Sequence, residues 1–352
     1  MSFHEPTPVR LDKPVISEPR RIRWGVLGTG HIARTFARDL ALLTDEAELA
    51  AVGSRRLDRA QPFASELGFA RTYGSYEDLA ADPALDVIYV ATPHHDHFPS
   101  ARRCLESGKA VLVEKPLTVT PAESEELIML AGQRGLFLME AMWMRTQPLI
   151  RKAVEIVGSG VLGAVRHVGA SFGFAFDGGP SHRLLDPAQA GGAILDLGPY
   201  PVHAAHLFLG EPAELDGYGS QAETGVDSHA AALLHHHATD ARPAATASLV
   251  CSLETDLPTR LEVFCSDGRV IIDDFLRPAE MTIVRGRGEG AEQEVLISGW
   301  PGGGYTFQAQ EVTRCLRVGE TESPLVPWQA TLASIRTLAR WQAAVPGEVV
   351  GQ

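Results

Sequence analysis

Short apolar runs alternate with amphipathic stretches between Ile22 and Met144. The apolar runs are predicted β-strands, and the stretches between them are predicted helices because apolar residues recur there every three or four positions. Strands and helices that alternate at this spacing indicate right-handed βαβ units around a parallel sheet that is covered on both faces. We therefore predict a doubly wound α/β domain over residues 22–144, with the strands "IRWGVLG", "ELAAVGS", "RTY", "DVIYVAT", "KAVLVEK" and "LFLMEA".

The pattern changes after Met144, where strand-like runs follow one another with few helices between them. Such a succession is typical of an open sheet made mainly of antiparallel strands. A second, α+β domain is predicted over residues 145–345, while the proline-rich residues 1–21 are expected to form an extended arm. The predicted strands of the second domain are "AVRHVGASFGFAF", "AAALLHHHA", "AATASLVCSL", "TRLEVFCSDGRVIIDD" and "EVLISG".

Composition narrows the class of protein. A chain of 352 residues with 45% apolar residues can fill two cores, and its net charge of −13 disfavours nucleic acid or an anionic membrane surface as a partner. Four cysteines without a CxxC pair indicate reduced thiols. No signal peptide or run of ~18 apolar residues is found, so we expect a cytoplasmic protein that acts on a small molecule.

The turn after the first strand has the spacing of a dinucleotide-binding loop. Gly28 permits a tight turn, Gly30 lets the backbone approach a pyrophosphate, and Ala33 allows close packing of the first helix on the strand. Thr29, His31 and Ile32 complete the predicted contact surface at the helix N-terminus. A strand–turn–helix context supports this interpretation over a glycine turn that binds nothing, and it makes the first domain a predicted Rossmann domain.

The end of the second strand bears on the choice of cofactor. An NAD site usually has an acidic residue there to accept the ribose 2′-hydroxyl, but this chain has Ser54, Arg55 and Arg56. Guanidinium groups suit a 2′-phosphate, so NADP is predicted to be preferred to NAD. The alternative is that the arginines belong to a solvated loop.

Polar residues follow the fourth and fifth strands. The segment from Thr92 and Pro93 to His94 and His97 lies at a carboxyl edge, where open α/β sheets bind ligands. Cofactor contacts or helix capping explain these histidines better than a metal site, because adjacent loop residues point in different directions, and no metal is predicted. One strand farther along, Lys115 between Glu114 and Pro116 is either a catalytic ammonium or part of a surface salt bridge.

A second polar cluster lies in "GGAILDLGPYPVHAAH". Asp196, Tyr200 and His203 are spaced by four and three residues and would share one face of a helix. A buried phenol between two polar residues would give the same spacing. The glycines around this stretch suggest a backbone held close to a ligand.

These motifs occur in an order that resembles one enzyme family. The turn GxGxxA, "TPHHDH", "EKP", "EAMW" and "GGAILDLGPYPV" are similar to those of the glucose–fructose oxidoreductase/inositol dehydrogenase (Gfo/Idh/MocA) family, from about Ile22 to Trp328. "EAMWMR" and the tyrosine of "DLGPYPV" look most like the branch of dimeric dihydrodiol dehydrogenases and NADP-dependent xylose dehydrogenases. The resemblance implies a dehydrogenase that acts on CH–OH or CH–CH donors.

The resemblance also implies roles for individual residues. Lys115 and Tyr200 would form the catalytic pair, with the ammonium lowering the pKa of the phenol, and Asp196 would orient them, whereas the role of His203 is open. The predicted substrate contacts are Lys115, Trp143, Phe174, Asp196 and Tyr200. The predicted cofactor contacts are Gly28, Thr29, Gly30, His31, Ile32, Ser54, Arg55, Arg56, Thr92, Pro93, His94, His97, Glu114, Lys115, Trp143 and Arg145.

Three questions about function stay open at this stage. The substrate is either a cyclic diol or an aldose oxidised at C1, and Phe172, Phe174 and Phe176 could line either pocket or belong to the core. A ligand-sensing regulator without turnover is the alternative from another class. A homodimer or homotetramer is expected through an uncovered face of the second sheet, which we predict to carry Leu249, Val263 and Ile271.

Overall fold

The first part of the chain folds as alternating strands and helices. The computed structural model describes residues 20–240 and 242–345, so the predicted arm lies outside the described residues up to position 19. The elements of this part are β1 (Ile22–Leu27), α1 (His31–Leu40), β2 (Ala47–Gly53), α2 (Leu57–Leu67), β3 (Arg71–Tyr73), α3 (Tyr76–Ala81), β4 (Val87–Val90), α4 (His97–Glu106), β5 (Ala110–Val113), α5 (Pro121–Arg134) and β6 (Leu138–Glu140).

The first sheet has the doubly wound topology. Its strands are all parallel, and within the described residues their order is β3-β2-β1-β4-β5-β6. All residues of β4 and β5 are buried, as expected for strands with helices on both faces. The strand order reverses between β1 and β4, and the crevice at their carboxyl ends is the position where such sheets bind ligands. The peptide bond between Lys115 and Pro116, just after β5, is cis.

The second part combines one large sheet with helices. Its elements are α6 (Pro148–Gly158), β7 (Val165–Gly173), α7 (Ala193–Asp196), α8 (Pro199–Leu209), β8 (Glu214–Gln221), β9 (Asp227–His236), β10 (Ala245–Ser252), β11 (Leu257–Cys265), β12 (Gly268–Asp273), β13 (Glu280–Arg285), β14 (Glu292–Ile297), α9 (Thr306–Val318) and α10 (Trp328–Ala344). In the described residues the strand order is β14-β13-β12-β11-β7-β10-β9-β8, antiparallel except between β7 and β10. The predicted fold class is therefore confirmed.

One face of the second sheet is covered by helices, and α8 packs against β7 and β10. Leu249 and Val263 are fully buried on this face. The prediction that they lie on the uncovered face was wrong, because side chains alternate along a strand and these two have the parity that faces the helices. Ile271 pairs with Glu262, the neighbour of Val263, and so lies on the opposite, open face.

Candidate active site

A cavity of about 720 Å³ lies where the carboxyl ends of β1, β4 and β5 meet α7 and α8. Most of the predicted site residues line it, from both parts of the chain. They are Gly28, Thr29, Gly30, His31, Ile32, Ser54, Arg55, Thr92, Pro93, His94, His97, Glu114, Lys115, Phe174, Asp196 and Tyr200.

The glycine turn at the start of α1 forms one end of the cavity. Gly28 has a φ of 113°, and a Cβ there would lie 2.6 Å from the carbonyl oxygen of Ala91. Apart from Gly30 and its chain neighbours, no atom of the described residues lies within 4 Å of the position where Gly30 would carry a Cβ, which leaves open space before the first N–H groups of α1. The buried hydroxyl of Thr92 also has no hydrogen-bond partner among the described residues. The turn thus fits the pyrophosphate of a dinucleotide.

The residues after β2 divide into two groups. Ser54 and Arg55 line the cavity, but Arg56 is ion-paired with Asp58 at the start of α2 and does not line it. The prediction that Arg56 contacts the cofactor is therefore not supported by this geometry. A nearby carboxylate holds its guanidinium outside the cavity.

The two cavity histidines are held by carbonyl groups. His97 is fully buried between the carbonyl oxygens of Pro116 and Thr92, at 2.7 and 2.9 Å, and burial lowers its pKa to about 3. The neutral ring lies between the turn after β5 and the loop after β4 and donates its single N–H to one of these two carbonyl oxygens. Nδ1 of His94 lies 3.0 Å from the carbonyl oxygen of Ala190. No group of three potential metal ligands is found in the part of the chain that the structure describes.

The side chain of Lys115, which follows β5 of the first sheet, contacts the second part of the chain. Its Nζ lies 2.5 Å from the carbonyl oxygen of Asp196 and 3.2 Å from Oδ1 of the same residue. Arg183 and His94 also approach this oxygen, at 3.0 and 3.4 Å. Although burial opposes ionisation, the charges of Lys115 and Arg183 and the hydrogen bond with His94 hold the pKa of Asp196 well below its ordinary value. Lys115 is therefore part of a buried charge cluster and not of a surface salt bridge.

Tyr200 presents its hydroxyl to the cavity. The indole Nε1 of Trp143 donates to this oxygen over 3.2 Å, and the ring of Phe172 meets the Tyr200 ring edge-on. Burial, together with Tyr305 and Glu114, raises the pKa of Tyr200 well above its ordinary value. The prediction that Lys115 lowers this pKa was wrong for this arrangement, because the ammonium lies 5.3 Å from the ring centroid and bonds to Asp196 instead.

The helix that was expected to carry Asp196, Tyr200 and His203 is broken. Asp196 ends α7 and Tyr200 is the second residue of α8, and both line the cavity. His203 lies on the other side of α8, with Nε2 3.2 Å from Glu140 Oε2 and Nδ1 3.2 Å from a guanidinium nitrogen of Arg145. The Nε of Arg145 donates to a backbone carbonyl 2.7 Å away. Arg145 does not line the cavity, and its contact with the cofactor stays a prediction.

Some side chains near the cavity differ from the predicted set. Trp143 was predicted to touch cofactor and substrate, but it does not line the cavity and instead supports Tyr200 and Tyr305. Arg183 and Tyr305 do line it and were not predicted. Arg183 sits in a long loop without periodicity, and Tyr305 follows three glycines, so only the glycine run offered a signal in the sequence.

Comparison with known proteins places the chain in a family. A model described as "Oxidoreductase family, NAD-binding Rossmann fold" matches residues 22–142, and a "GFO/IDH/MocA C-terminal domain" model matches residues 150–271. The chain belongs to the Gfo/Idh/MocA oxidoreductase family. The resemblance seen in its motifs is thereby confirmed, as are the predictions of a dehydrogenase and of a nicotinamide dinucleotide as its cofactor.

Relatives of known activity extend over nearly the whole chain of this Gfo/Idh/MocA protein. It is 37% identical over 312 residues to trans-1,2-dihydrobenzene-1,2-diol dehydrogenase of Mus musculus, covering 87% of this chain and 91% of that protein. It is 34% identical to D-xylose 1-dehydrogenase (NADP(+)) of Hypocrea jecorina, covering 91% of each. A 3-ketoreductase from Actinomadura kijaniata, solved with NADP and TDP-benzene, superposes with a TM-score of 0.79 at 28% identity, covering 93% of this chain and 98% of that one.

The two glycines of the turn allow folding and cofactor binding to be separated. Gly30→Ala should leave the melting temperature nearly unchanged, because its φ of −77° suits alanine, but should weaken NADP(H) binding by ~10-fold or more because the methyl group occupies the pyrophosphate space. Gly28→Ala should cost roughly 1–3 kcal/mol of folding stability because of its positive φ and its overlap with Ala91. Thermal unfolding and calorimetric titration measure the two effects.

A third glycine supplies the control. Gly68, which ends α2 with a φ of 84°, faces open space. Gly68→Ala should therefore lower the melting temperature without changing NADP(H) affinity. Normal NADP(H) affinity in Gly30→Ala would contradict this assignment of the turn.

Proposed function

We propose that this protein is an NADP-dependent dehydrogenase that transfers a hydride between nicotinamide and a secondary alcohol or carbonyl of a sugar or cyclic diol. The observation that carries the proposal is the position of Lys115 and Tyr200, which come from different parts of the chain and line the same cavity as the dinucleotide turn. Relatives named for a diol and for an aldose as substrate are both similar to the chain over most of its length.

Each part of the reaction has a residue suited to it. The dinucleotide, held by the glycine turn, Ser54 and Arg55, accepts or supplies the hydride. Tyr200 carries the proton at its hydroxyl, donating it to a carbonyl oxygen in reduction and accepting it from an alcohol in oxidation. Two of the hydrogen bonds of the Lys115 ammonium go to Asp196, which leaves a third N–H for the reacting oxygen.

The protonation state of Tyr200 favours one direction at neutral pH. A phenol whose pKa is raised stays protonated below its pKa, so it is ready to donate a proton in carbonyl reduction. Oxidation requires the phenolate and should therefore speed up as pH rises.

A non-catalytic regulator would not need Lys115 and Tyr200 in the same cavity. A cytoplasmic enzyme remains our prediction, and the cysteines of the described residues are all free thiols.

The substrate class within this function has two candidates. Arg183, Asp196 and His94 make one wall of the cavity polar, which favours an aldose with several hydroxyl groups, whereas Phe172 and Phe174 suit the flat face of either ring. A panel of aldoses, inositols and cyclic diols, with NADP and with NAD and read as absorbance at 340 nm, tests the function. The proposal fails if no alcohol in the panel reduces either cofactor and no matching ketone oxidises it.

The 2′-phosphate should determine cofactor affinity through Arg55. We expect NADP(H) to bind at least ~10-fold tighter than NAD(H), and Arg55→Gln to remove most of that difference. Arg56→Gln is the matched control and should change little, because this guanidinium is paired with Asp58. Calorimetric titration measures the affinity for each cofactor. Tighter binding of NAD(H) than of NADP(H) to the unaltered protein would refute the preference for NADP(H).

Lys115 and Tyr200 should act as one proton-transfer unit. We expect Lys115→Met to lower kcat by ~10²-fold or more and Tyr200→Phe to remove the proton carrier, with the double variant losing far less than the product of the single losses. In the unaltered enzyme, oxidation should still be rising at about pH 10, the ordinary pKa of a tyrosine, while reduction should stay level across neutral pH. Near-normal turnover in Tyr200→Phe would overturn the assignment.

The open face of the second sheet is the proposed contact between copies of the chain. Large apolar side chains are exposed on it: Tyr218 is 75% exposed, Leu233 40%, Val295 49% and Ile297 77%. Such a face is covered most simply by the same face of a second copy, which gives a homodimer or homotetramer.

Light scattering tests this assembly. The mass should be two or four times 37.9 kDa at micromolar concentration, and Leu233→Asp should shift it towards the monomer. Leu42→Asp, at an exposed position just after α1, is the control and should leave the mass unchanged. A mass of a single chain for the unaltered protein would exclude the dimer.

A further inference from the structure

We propose that Tyr305 is a substrate-selecting side chain and that Asp39 is the residue that positions it. Together they would favour a polyhydroxylated ring over a ring with only the two hydroxyl groups of a simple diol. This inference rests on the proposed function and deepens it, because it specifies the substrate class that the cavity prefers. Neither residue belongs to the motifs that identify the family.

Asp39 holds the loop that carries Tyr305. It lies on α1 in the first part of the chain and is only 4% exposed. Its carboxylate accepts the backbone N–H of Gly303 at 2.7 and 2.9 Å and that of Tyr305 at 2.7 Å. Charged hydrogen bonds to buried backbone donors are among the stronger ones in proteins, so this carboxylate fixes where the loop runs.

The glycines let the loop approach Asp39. Gly302 and Gly304 have φ values of 64° and 96°, a region that side chains disfavour, and a Cβ on Gly302 would overlap the Asp39 carboxylate. From the other side, the side-chain amide of Gln147 donates to the carbonyl oxygen of Gly304 over 2.8 Å. The loop is therefore fastened to both parts of the chain just before Tyr305.

Held in this way, the Tyr305 ring becomes a wall of the cavity. It stacks on Trp143 with 4.5 Å between ring centroids and 28° between ring planes, and Trp143 in turn donates to the hydroxyl of Tyr200. The hydroxyl of Tyr305 has no hydrogen-bond partner among residues 20–240 and 242–345. It is thus available to a ligand in the cavity that contains the proposed proton carrier.

An unpaired hydroxyl in a substrate cavity discriminates between substrates, because it stays without a hydrogen bond when the substrate offers no partner. A ring hydroxyl that pairs with it gains a hydrogen bond, whereas a ring without that group leaves the phenol desolvated and unpaired. A simple diol places one hydroxyl at Lys115 and Tyr200 and has a single hydroxyl left for both Tyr305 and Arg183. A pyranose has further hydroxyls for Tyr305 and for the polar wall at Arg183, and its apolar face can lie against the aromatic rings.

The first test removes only the hydroxyl. Tyr305→Phe keeps the ring and its stack on Trp143, and it should lower kcat/KM for D-xylose by about 10-fold, mainly through KM, while changing that for trans-cyclohexane-1,2-diol by less than about 2-fold. Calorimetric binding of D-xylose to the protein saturated with NADPH, where no turnover occurs, should weaken to the same extent. Ser65→Ala, which removes an exposed hydroxyl on α2, is the control and should change neither value.

The second test releases the loop. Asp39→Asn places an amide group against an N–H donor, and it should weaken D-xylose binding like Tyr305→Phe and alter the near-ultraviolet circular dichroism of the stacked Trp143. The effect of Asp39→Asn on D-xylose binding should largely disappear when Tyr305→Phe is also present. Asp45→Asn, at an exposed position near Asp39, is the control and should not change D-xylose binding in the unaltered protein or in Tyr305→Phe. NADPH affinity should be unchanged, which separates displacement of the loop from damage to the first domain.

The outcomes separate this inference from the proposed function. If the unaltered protein binds NADPH and oxidises alcohols, but Tyr305→Phe affects D-xylose and the diol equally, the inference is wrong and the function stands. If no alcohol is oxidised and no matching ketone is reduced, the function is wrong, and D-xylose binding to Tyr305→Phe then decides the inference: unchanged binding overturns it, and weakened binding supports it. An Asp39→Asn protein with unchanged D-xylose binding and an unchanged Trp143 signal would refute the positioning role.

Discussion

The contact between the Lys115 ammonium and Asp196 is the interaction on which the site depends. Lys115 follows a strand of the first sheet, and Asp196 ends a short helix that packs beside the second, so one buried charge pair joins the two halves of the cavity. Removing one partner of such a pair leaves an uncompensated charge in the interior, at a cost of about 3–5 kcal/mol. The same pair directs Lys115 towards the cavity, where its remaining N–H can meet a reacting oxygen.

This arrangement assigns separate roles to charge and to proton transfer. The carboxylate of Asp196 holds the ammonium, with Arg183 and His94 contributing to its ionisation. Tyr200 lies beside the pair but outside its hydrogen bonds, and its hydroxyl accepts a hydrogen bond from the indole of Trp143. Burial keeps the phenol protonated, so the proposed proton carrier stays neutral while its neighbours bear the charge.

Behind the cavity, a second polar cluster supports the helix that carries Tyr200. Glu140 accepts hydrogen bonds from Thr331 and from the backbone N–H of Leu117, and its Oε2 lies 3.2 Å from His203. Although burial opposes ionisation, His203 lowers the pKa of the Glu140 carboxyl. Because Glu140 ends β6, Thr331 lies in α10 and His203 in α8, one satisfied carboxylate fixes three elements. His203 therefore belongs to this supporting cluster and does not line the cavity.

The sequence by itself determined the features that depend on local chemistry. The doubly wound domain, the glycine turn and the charged end of β5 follow from side-chain periodicity, from backbone freedom at Gly28 and from a strand that proline must end. The motif order was also sufficient to identify the family. The strands β8 and β13 were not predicted. They lie near the edges of the second sheet, and their sequences, "ELDGYGSQ" and "EMTIVR", lack a sustained apolar run.

Only the tertiary structure decided which side chains reach the cavity and in which protonation state. Arg145 and Arg56 matched cofactor-binding patterns, yet a backbone carbonyl and Asp58 hold them elsewhere. Tyr305 enters the cavity because Asp39, distant in sequence, holds the loop before it. The raised pKa of Tyr200 depends on burial and on groups from other segments. These properties depend on distances between residues that are far apart along the chain, and a local sequence pattern does not determine such distances.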